Sequence, residues 1–180
     1  KRWTAADLRA IPDDRNRYEI IDGELLVTPS PSWGHQDISM RLLLMISAYL
    51  DAHRIGRLVM APADVDLSDD TVLVPDLFVF PLVDGRPPLS WDDVRHLLLV
   101  IEILSPSTAR ADRTVKRRRY QREAVPEYWI IDSDARVVER WRPNDEQPEV
   151  LSDRLEWRPD ATATPLTIDL LALFAAALGS

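Results

Sequence analysis

The chain has no cysteine among its 180 residues. Disulfides and thiolate metal sites are therefore excluded, and the composition favours a reducing compartment such as the cytoplasm. Histidine is scarce as well, with three residues, so a zinc site built only from histidine is not expected. No apolar run reaches the roughly 20 residues of a membrane-spanning helix, and the first residues lack a signal-peptide pattern. We therefore expect a cytoplasmic protein with no membrane association.

Positive charge is in deficit too, since 22 Lys and Arg face 30 Asp and Glu and give a net charge of −8. This balance argues against a protein that binds nucleic acid through its overall charge. One segment is nevertheless strongly basic and contains a single acid, and its basic residues are Arg110, Arg113, Lys116, Arg117, Arg118, Arg119 and Arg122. The segment is either a solvated helix face or a local patch that follows a phosphate backbone.

The hydrophobic pattern predicts one domain over residues 1–180, of mixed α/β class. Segments with apolar residues at spacings of three and four are the predicted helices, over residues 4–10, 32–50, 112–123 and 167–178. Shorter apolar or alternating segments are the predicted strands, in a hairpin over residues 18–28 and over residues 56–60, 63–67, 72–80, 97–104, 128–132 and 137–141.

Two acids stand at unusual places in these strands. Glu102 interrupts an apolar strand, where a charge is costly to bury unless it is paired, hydrogen-bonded or bound to a metal. The strand end could instead reach solvent, or an arginine of the next helix could pair with it. Asp76 follows Pro75, which marks a strand edge or entry because proline cannot donate to a sheet ladder. Pro-Asp is also a common turn dipeptide. Together, on neighbouring strands before a basic helix, the two carboxylates indicate a site for a hard divalent cation.

Asp112, Lys116 and Tyr120 share one helix face, because they stand at positions i, i+4 and i+8. Asp112 and Lys116 could simply pair, for roughly 0.2–0.5 kcal/mol. If this face packs against the end of the Glu102 strand, the ammonium instead points at the two carboxylates, where it would stabilise charge on a phosphate. This face is the reason to prefer Lys116 over the neighbouring arginines.

Several stretches occur in a specific order, and each is unspecific alone. They are residues 18–25 (YEIIDGEL), His35, residues 74–77 (VPDL), residues 100–108 (VIEILSPST), Asp112 with Lys116 and Tyr120, and residues 125–132 (VPEYWIID). Over roughly residues 15–142 this order resembles the PD-(D/E)XK nuclease superfamily. The resemblance is to its Uma-type branch, whose members are described as "putative restriction endonucleases".

The resemblance implies a restriction-endonuclease-like fold, in which helices flank a mixed central sheet. It also implies that Asp76 and Glu102 are the two catalytic acids and that, with the backbone carbonyl of Ile103, they hold Mg²⁺ or Mn²⁺. The superfamily lysine would stand at Leu104, two residues after Glu102. Because that position is apolar, the resemblance places the catalytic lysine at Lys116, on the next helix.

The implied activity is metal-dependent hydrolysis of DNA phosphodiester bonds, by a homodimer where two strands are cut. Further candidates for the site or for nucleic-acid contact are Glu24, His35, Asp112, Tyr120, Arg113 and Arg117. Glu24 could equally be an exposed hairpin residue, and His35 a structural one.

The alternative function is an inactive nuclease fold that serves as a nucleic-acid-binding or interaction module. Six tryptophans could serve such an interface, although aromatic residues in strands are more often core.

Overall fold

The computed structural model describes residues 1–12, 14, 16–28, 30–90, 93–94 and 96–179. Trp91, one of the tryptophans considered for an interface, lies outside the described residues. The helices are Ala5–Arg9 (α1), Trp33–His53 (α2), Ala109–Ala111 (α3), Arg117–Arg122 (α4) and Leu170–Leu178 (α5). The strands are Arg17–Ile21 (β1), Glu24–Thr28 (β2), Gly56–Met60 (β3), Val65–Ser68 (β4), Thr71–Leu73 (β5), Leu77–Pro81 (β6), Leu99–Ile103 (β7), Glu127–Asp132 (β8), Val137–Trp141 (β9), Glu149–Leu151 (β10), Arg154–Trp157 (β11) and Leu166–Asp169 (β12).

A six-stranded mixed sheet with the order β10-β9-β8-β7-β6-β3 forms the centre of the fold. In this sheet β7 and β8 are parallel, while the other neighbouring strands are antiparallel. A four-stranded antiparallel sheet with the order β2-β1-β5-β4 and the β11-β12 ribbon complete the strands. The mixed central sheet flanked by helices is the fold class predicted from the sequence. None of the described helices is both long and apolar enough to cross a membrane.

The central strands are apolar on both faces because each face covers its own core. Odd-numbered side chains of β7, such as Ile101, pack with α2 and α5 in one cluster. Even-numbered side chains such as Val100 pack in a second cluster with Tyr120 of α4 and with Leu73 of the four-stranded sheet. Since side chains alternate along a strand, Glu102 projects to the side of this second cluster.

The strand predicted over residues 72–80 is wrong, because this segment contains two strands in different sheets. β5 belongs to the four-stranded sheet and β6 to the six-stranded sheet. Val74, Pro75 and Asp76 cross between them, and Pro75 has no amide hydrogen with which to continue a ladder. The break places Asp76 at the junction of the two sheets, directly before β6.

The helix predicted over residues 112–123 begins earlier and is not regular. A π-helical turn, Asp112–Lys116, joins α3 to α4, and the Arg117 amide donates to the Asp112 carbonyl across it. The helix predicted over residues 167–178 is wrong at its start, where β12 precedes α5 and Asp169 caps the helix by accepting from the Ala172 amide. Strands β10 and β11 were not predicted either.

Candidate active site

Lys116 lies at the centre of a buried group of carboxylates. Its Nζ is 2.9 Å from Glu102 Oε1 and 2.9 Å from Glu19 Oε1. Asp112 Oδ1 lies 3.3 Å from the same ammonium. The Tyr120 hydroxyl donates to Glu102 Oε1 at 3.4 Å. We call Lys116, Glu19, Glu102 and Asp112 the lysine cluster.

Three elements bring these side chains together. Glu102 projects from β7 toward the helix, and Glu19 comes from β1 of the four-stranded sheet. Asp112 and Lys116 are the buried residues of the π-helical turn, and Tyr120 is the buried residue of α4. The predicted packing of this helix face against the Glu102 strand is therefore present, and π-helical turns occur frequently at functional sites.

Asp76 lies beside the lysine cluster and is held on both oxygens. Arg17 Nη1 donates to Oδ1 at 2.8 Å, the Ile103 amide donates to Oδ2 at 2.8 Å, and His35 Nε2 is 3.0 Å from Oδ2. Burial alone would raise the pKa of Asp76, but His35 and Arg17 together lower it to about 2. Asp76 is therefore ionised at neutral pH.

The lysine cluster and Asp76 contain more acids than fixed cations. Four carboxylates, those of Glu19, Asp76, Glu102 and Asp112, share the ammonium of Lys116 and the guanidinium of Arg17. Burial raises the pKa of Glu102 well above its usual value, and the negative charges of Asp112, Asp76 and Glu19 add to this effect. Burial is the largest cause and the Lys116 ammonium acts against it, so the raised pKa of Glu102 reflects the loss of hydration more than the excess of acids.

Lys116 itself stays protonated in this environment. Burial alone would lower the pKa of its ammonium, but Glu102, Glu19 and Asp112 together raise the pKa above its ordinary value. Lys116 therefore provides a fixed positive charge rather than a proton acceptor.

The acids of this site fit a hard divalent cation in kind and in charge. Mg²⁺ and Mn²⁺ prefer carboxylate oxygens. Glu19 Oε2 and Asp112 Oδ2 are buried without a hydrogen-bond partner in the described part of the chain, while Asp112 Oδ1 has its 3.3 Å ion contact with Lys116. Within the described residues, no group of three or more His, Cys, Asp or Glu side chains is arranged to hold a metal ion. The donors are thus present, while Lys116 and Arg17 occupy the positions next to them.

A cleft of about 1290 Å³ opens above Asp76. Arg17 and His35, which hold Asp76, line it, as do Ile103, Thr108 and Arg113. The segment that follows β7 contributes a group of hydroxyls, in which Ser105 Oγ lies 3.0 Å from both the Ser107 and the Thr108 hydroxyls. Apolar surface makes up more of the wall of this cleft than polar surface, and four aspartates line it beside Arg17 and Arg113. These two arginines are the groups that a negatively charged ligand would contact there.

Two of the other predicted residues lie apart from the lysine cluster. Glu24 is exposed at the start of β2, and no described hydrogen bond or ion pair joins it to Asp76, Glu102 or Lys116. Arg117 stacks on Trp141, with its guanidinium carbon 4.5 Å from the ring centre. Arg117 therefore packs against β9 and does not belong to the residues that line the cleft.

Arg113 does line the cleft, and its guanidinium is paired with acids of two strands. Its Nη2 lies 2.6 Å from Asp132 Oδ2 and 2.6 Å from Glu139 Oε1.

Two residues of this site, Glu19 and Arg17, were missed by the sequence reasoning. Glu19 is fully buried, and its Oε1 accepts from the Val74 amide at 2.8 Å. A signal for Glu19 was present, because it interrupts an apolar strand as Glu102 does and lies within the stretch YEIIDGEL. Arg17 gave no such signal, since an arginine at the start of a strand is ordinarily a surface residue.

Comparisons with known proteins agree with this architecture. The family model described as "Uma2: Putative restriction endonuclease" matches residues 5–171. A crystal structure described as a putative nuclease belonging to DUF820, from Anabaena variabilis, is similar with a TM-score of 0.74 and 24% identity, over 98% of this chain and 99% of that one. An uncharacterized protein of Synechocystis sp. is 28% identical over 151 residues, which are 79% of this chain and 77% of the relative. The structural likeness shows the fold, and the family match confirms the resemblance found in the sequence.

Proposed function

We propose that this chain, which belongs to the Uma2 family of "putative restriction endonucleases", is a metal-dependent endonuclease that hydrolyses DNA phosphodiester bonds. The observation that carries the proposal is the meeting of Asp76, Glu102 and Lys116 at one end of the central strands, beneath the cleft that Arg17 and His35 line. These three residues come from a strand junction, a strand and a helix.

Asp76, Glu102 and the backbone carbonyl of Ile103 are the groups that would hold Mg²⁺ or Mn²⁺, and the Ile103 amide donates to Asp76. The cation would neutralise charge on the phosphate and lower the pKa of bound water. Lys116 fixes the position of Glu102 through a 2.9 Å contact and keeps a positive charge beside it. Arg17 and His35 stand between Asp76 and the cleft, where a phosphate would approach.

Cleavage of supercoiled plasmid and of single-stranded DNA, with Mg²⁺ or Mn²⁺ and with EDTA, tests the proposal. Wild type should nick or linearise DNA only with the cation. Asp76→Asn and Glu102→Gln should lose this activity by about 100-fold or more, since removing one group that stabilises transition-state charge costs 10²–10³ in rate. Asp51→Asn is the matched control, because Asp51 forms an exposed ion pair with Arg57 at the opposite end of α2 from His35.

Each result of this experiment decides between enzyme and inactive module. Equal cleavage by wild type and Asp76→Asn would overturn the assignment of the site. DNA binding without cleavage under any of these conditions would favour the inactive nucleic-acid-binding module. We also propose that the protein acts as a homodimer. Light scattering in the presence of duplex DNA measures its oligomeric state. A protein that stays monomeric and still cleaves both strands would contradict the homodimer.

A further inference from the structure

Arg17 is in contact with the acid that a metal ion would have to reach. Its Nη1 donates to Asp76 Oδ1 at 2.8 Å, and together with His35 and the Ile103 amide it leaves neither oxygen of Asp76 without a contact. A divalent cation bound at Asp76 would replace the charge that Arg17 now supplies. Two positive groups of this strength do not share one carboxylate at this distance without repulsion.

The remaining donors of Arg17 have no side-chain hydrogen bond to the residues that the structure describes. A guanidinium carries five N–H donors, and the bond from Nη1 to Asp76 is the one that the described residues form with it. Its Nε is buried without a hydrogen-bond partner among the described residues. The side chain is 22% exposed and lines the cleft, so a ligand could reach its Nη2, which is not among the buried atoms.

Guanidinium groups bind phosphate through pairs of parallel hydrogen bonds, which a lysine does not reproduce. From this geometry we propose that Arg17 exchanges partners, binding Asp76 in the cation-free protein and a nucleic-acid phosphate in the cleft when a divalent cation occupies Asp76. This inference rests on the proposed function, because it takes the cation and the nucleic acid from it. Arg17 thereby links cation binding to substrate binding.

Mn²⁺ binding without nucleic acid, measured by calorimetry, tests the first half of the exchange. Arg17→Gln removes the competing cation, so its Mn²⁺ affinity rises by about tenfold, because an opposite charge at this distance shifts a carboxylate's proton affinity by about 1–3 units. Asp76→Asn binds no Mn²⁺ at this site and identifies the signal. Arg57→Gln, which removes an exposed arginine–aspartate pair, keeps the wild-type affinity.

A purely structural role for Arg17 predicts that Arg17→Gln does not bind Mn²⁺ more tightly than wild type. If Arg17 served only to hold Asp76 in place, Arg17→Gln would bind Mn²⁺ more weakly or equally, and either result overturns the proposal. Arg17→Lys is a second variant, for use if Arg17→Gln fails to fold, and it keeps the positive charge but not the paired donors. We expect it to bind Mn²⁺ with the wild-type affinity but to lose the effect of Mn²⁺ on DNA binding. If Mn²⁺ strengthens DNA binding by Arg17→Lys as much as by wild type, the proposal is overturned.

Fluorescence anisotropy of a labelled DNA duplex with nuclease-resistant phosphorothioate linkages tests the second half. In wild type, Mn²⁺ tightens DNA binding about tenfold, within the range of ordinary coupling between two sites. In Arg17→Gln the tightening falls to about threefold or less. Equal tightening in both proteins would show that the cation alone bridges protein and DNA, which overturns the proposal. Coupling to inorganic phosphate without coupling to DNA would overturn nucleic acid as the source of the phosphate.

Neither measurement depends on cleavage, so the two proposals fail separately. A protein that shows both effects and leaves plasmid intact overturns the nuclease function alone. A protein that cleaves DNA while Arg17→Gln binds Mn²⁺ no more tightly overturns the exchange by Arg17 alone.

Discussion

Lys116 Nζ lies 2.9 Å from Glu102 Oε1, and neither side chain exposes more than 2% of its surface. A buried pair of this kind contributes little net stability, because the loss of hydration offsets the attraction of the charges. Breaking it is costly, since one partner is then left as an uncompensated buried charge. The pair therefore contributes little to the free energy of unfolding, and its role is to hold Glu102 in place.

We predict that Lys116→Met lowers the free energy of unfolding by about 3–5 kcal/mol, because Glu102, Glu19 and Asp112 then lose their shared ammonium. Urea denaturation measures the change. Lys1→Met is the control, since Lys1 pairs with Asp7 at an exposed position, and it should leave the stability unchanged. A loss below about 1 kcal/mol, the size expected of a surface pair, would contradict the prediction.

The two arginines predicted to contact nucleic acid should behave differently. Arg113 lines the cleft, so Arg113→Gln should weaken DNA binding and reduce the salt dependence by about one phosphate contact. Arg117 stacks on Trp141 outside the cleft, so Arg117→Gln should cost about 0.5–1 kcal/mol of stability and leave DNA affinity unchanged. Anisotropy titrations over a salt series and urea denaturation measure both effects. Equal weakening of DNA binding would mean that the DNA also contacts α4.

A pH-dependent effect is expected at Glu127, away from the site. Burial raises the pKa of this carboxyl above 4.5, although Trp129 Nε1 donates to it at 2.7 Å. Between the unfolded and folded pKa values, the folded protein retains a proton that the unfolded chain has lost, so stability falls as the pH rises through this window. Glu127→Gln removes this loss and still accepts from Trp129.

The stability of Glu127→Gln relative to wild type should therefore increase from pH 4 to pH 7. Urea denaturation at both pH values measures it. Glu156→Gln changes an acid that is about half exposed and pairs with Arg154, and it should show no such trend. A relative stability that decreases with rising pH would contradict the assignment.

The regular parts of the fold followed from the sequence where one residue pattern decided the outcome. The hairpin around Asp22 and Gly23 formed as predicted, because its turn needs the positive φ that both residues adopt. The long helix also formed, with Ser32 as its cap. The strand edge expected at Pro75 is present, but the apolar residues on both sides of it did not indicate that the chain changes sheet there. Local pattern does not indicate which sheet a strand joins.

The site followed from the sequence in part, and for a physical reason. Glu102 and Asp76 are acids in apolar or strand-bordering positions, and burial makes such residues conspicuous. Lys116 depended on the helix face that it shares with Tyr120. Arg17 could not be predicted, because its contact with Asp76 joins a strand of the four-stranded sheet to a residue 59 positions away, at the junction of the two sheets. Arg17 becomes the counter-ion of Asp76 only through the tertiary structure.

Glu19 connects Asp76 to Lys116, and two variants separate its two contacts. Its Oε1 accepts from the Val74 amide, two residues before Asp76, and lies 2.9 Å from the Lys116 ammonium. Glu19→Gln keeps an acceptor for the amide and removes one charge from a cluster that already has acids in excess, so its stability should remain within about 1 kcal/mol of wild type.

Glu19→Ala leaves the buried Val74 amide without an acceptor, which should cost about 1–3 kcal/mol in urea denaturation. Because this amide fixes the segment that carries Asp76, calorimetry should also show weaker Mn²⁺ binding by Glu19→Ala than by Glu19→Gln. Glu24→Ala, on the exposed start of β2 in the same hairpin, is the matched control and should change neither quantity. If Glu19→Gln lowers stability and Mn²⁺ affinity as much as Glu19→Ala does, the ion pair of Glu19 with Lys116 is the important contact. In that case Glu19 does not position Asp76 through the Val74 amide.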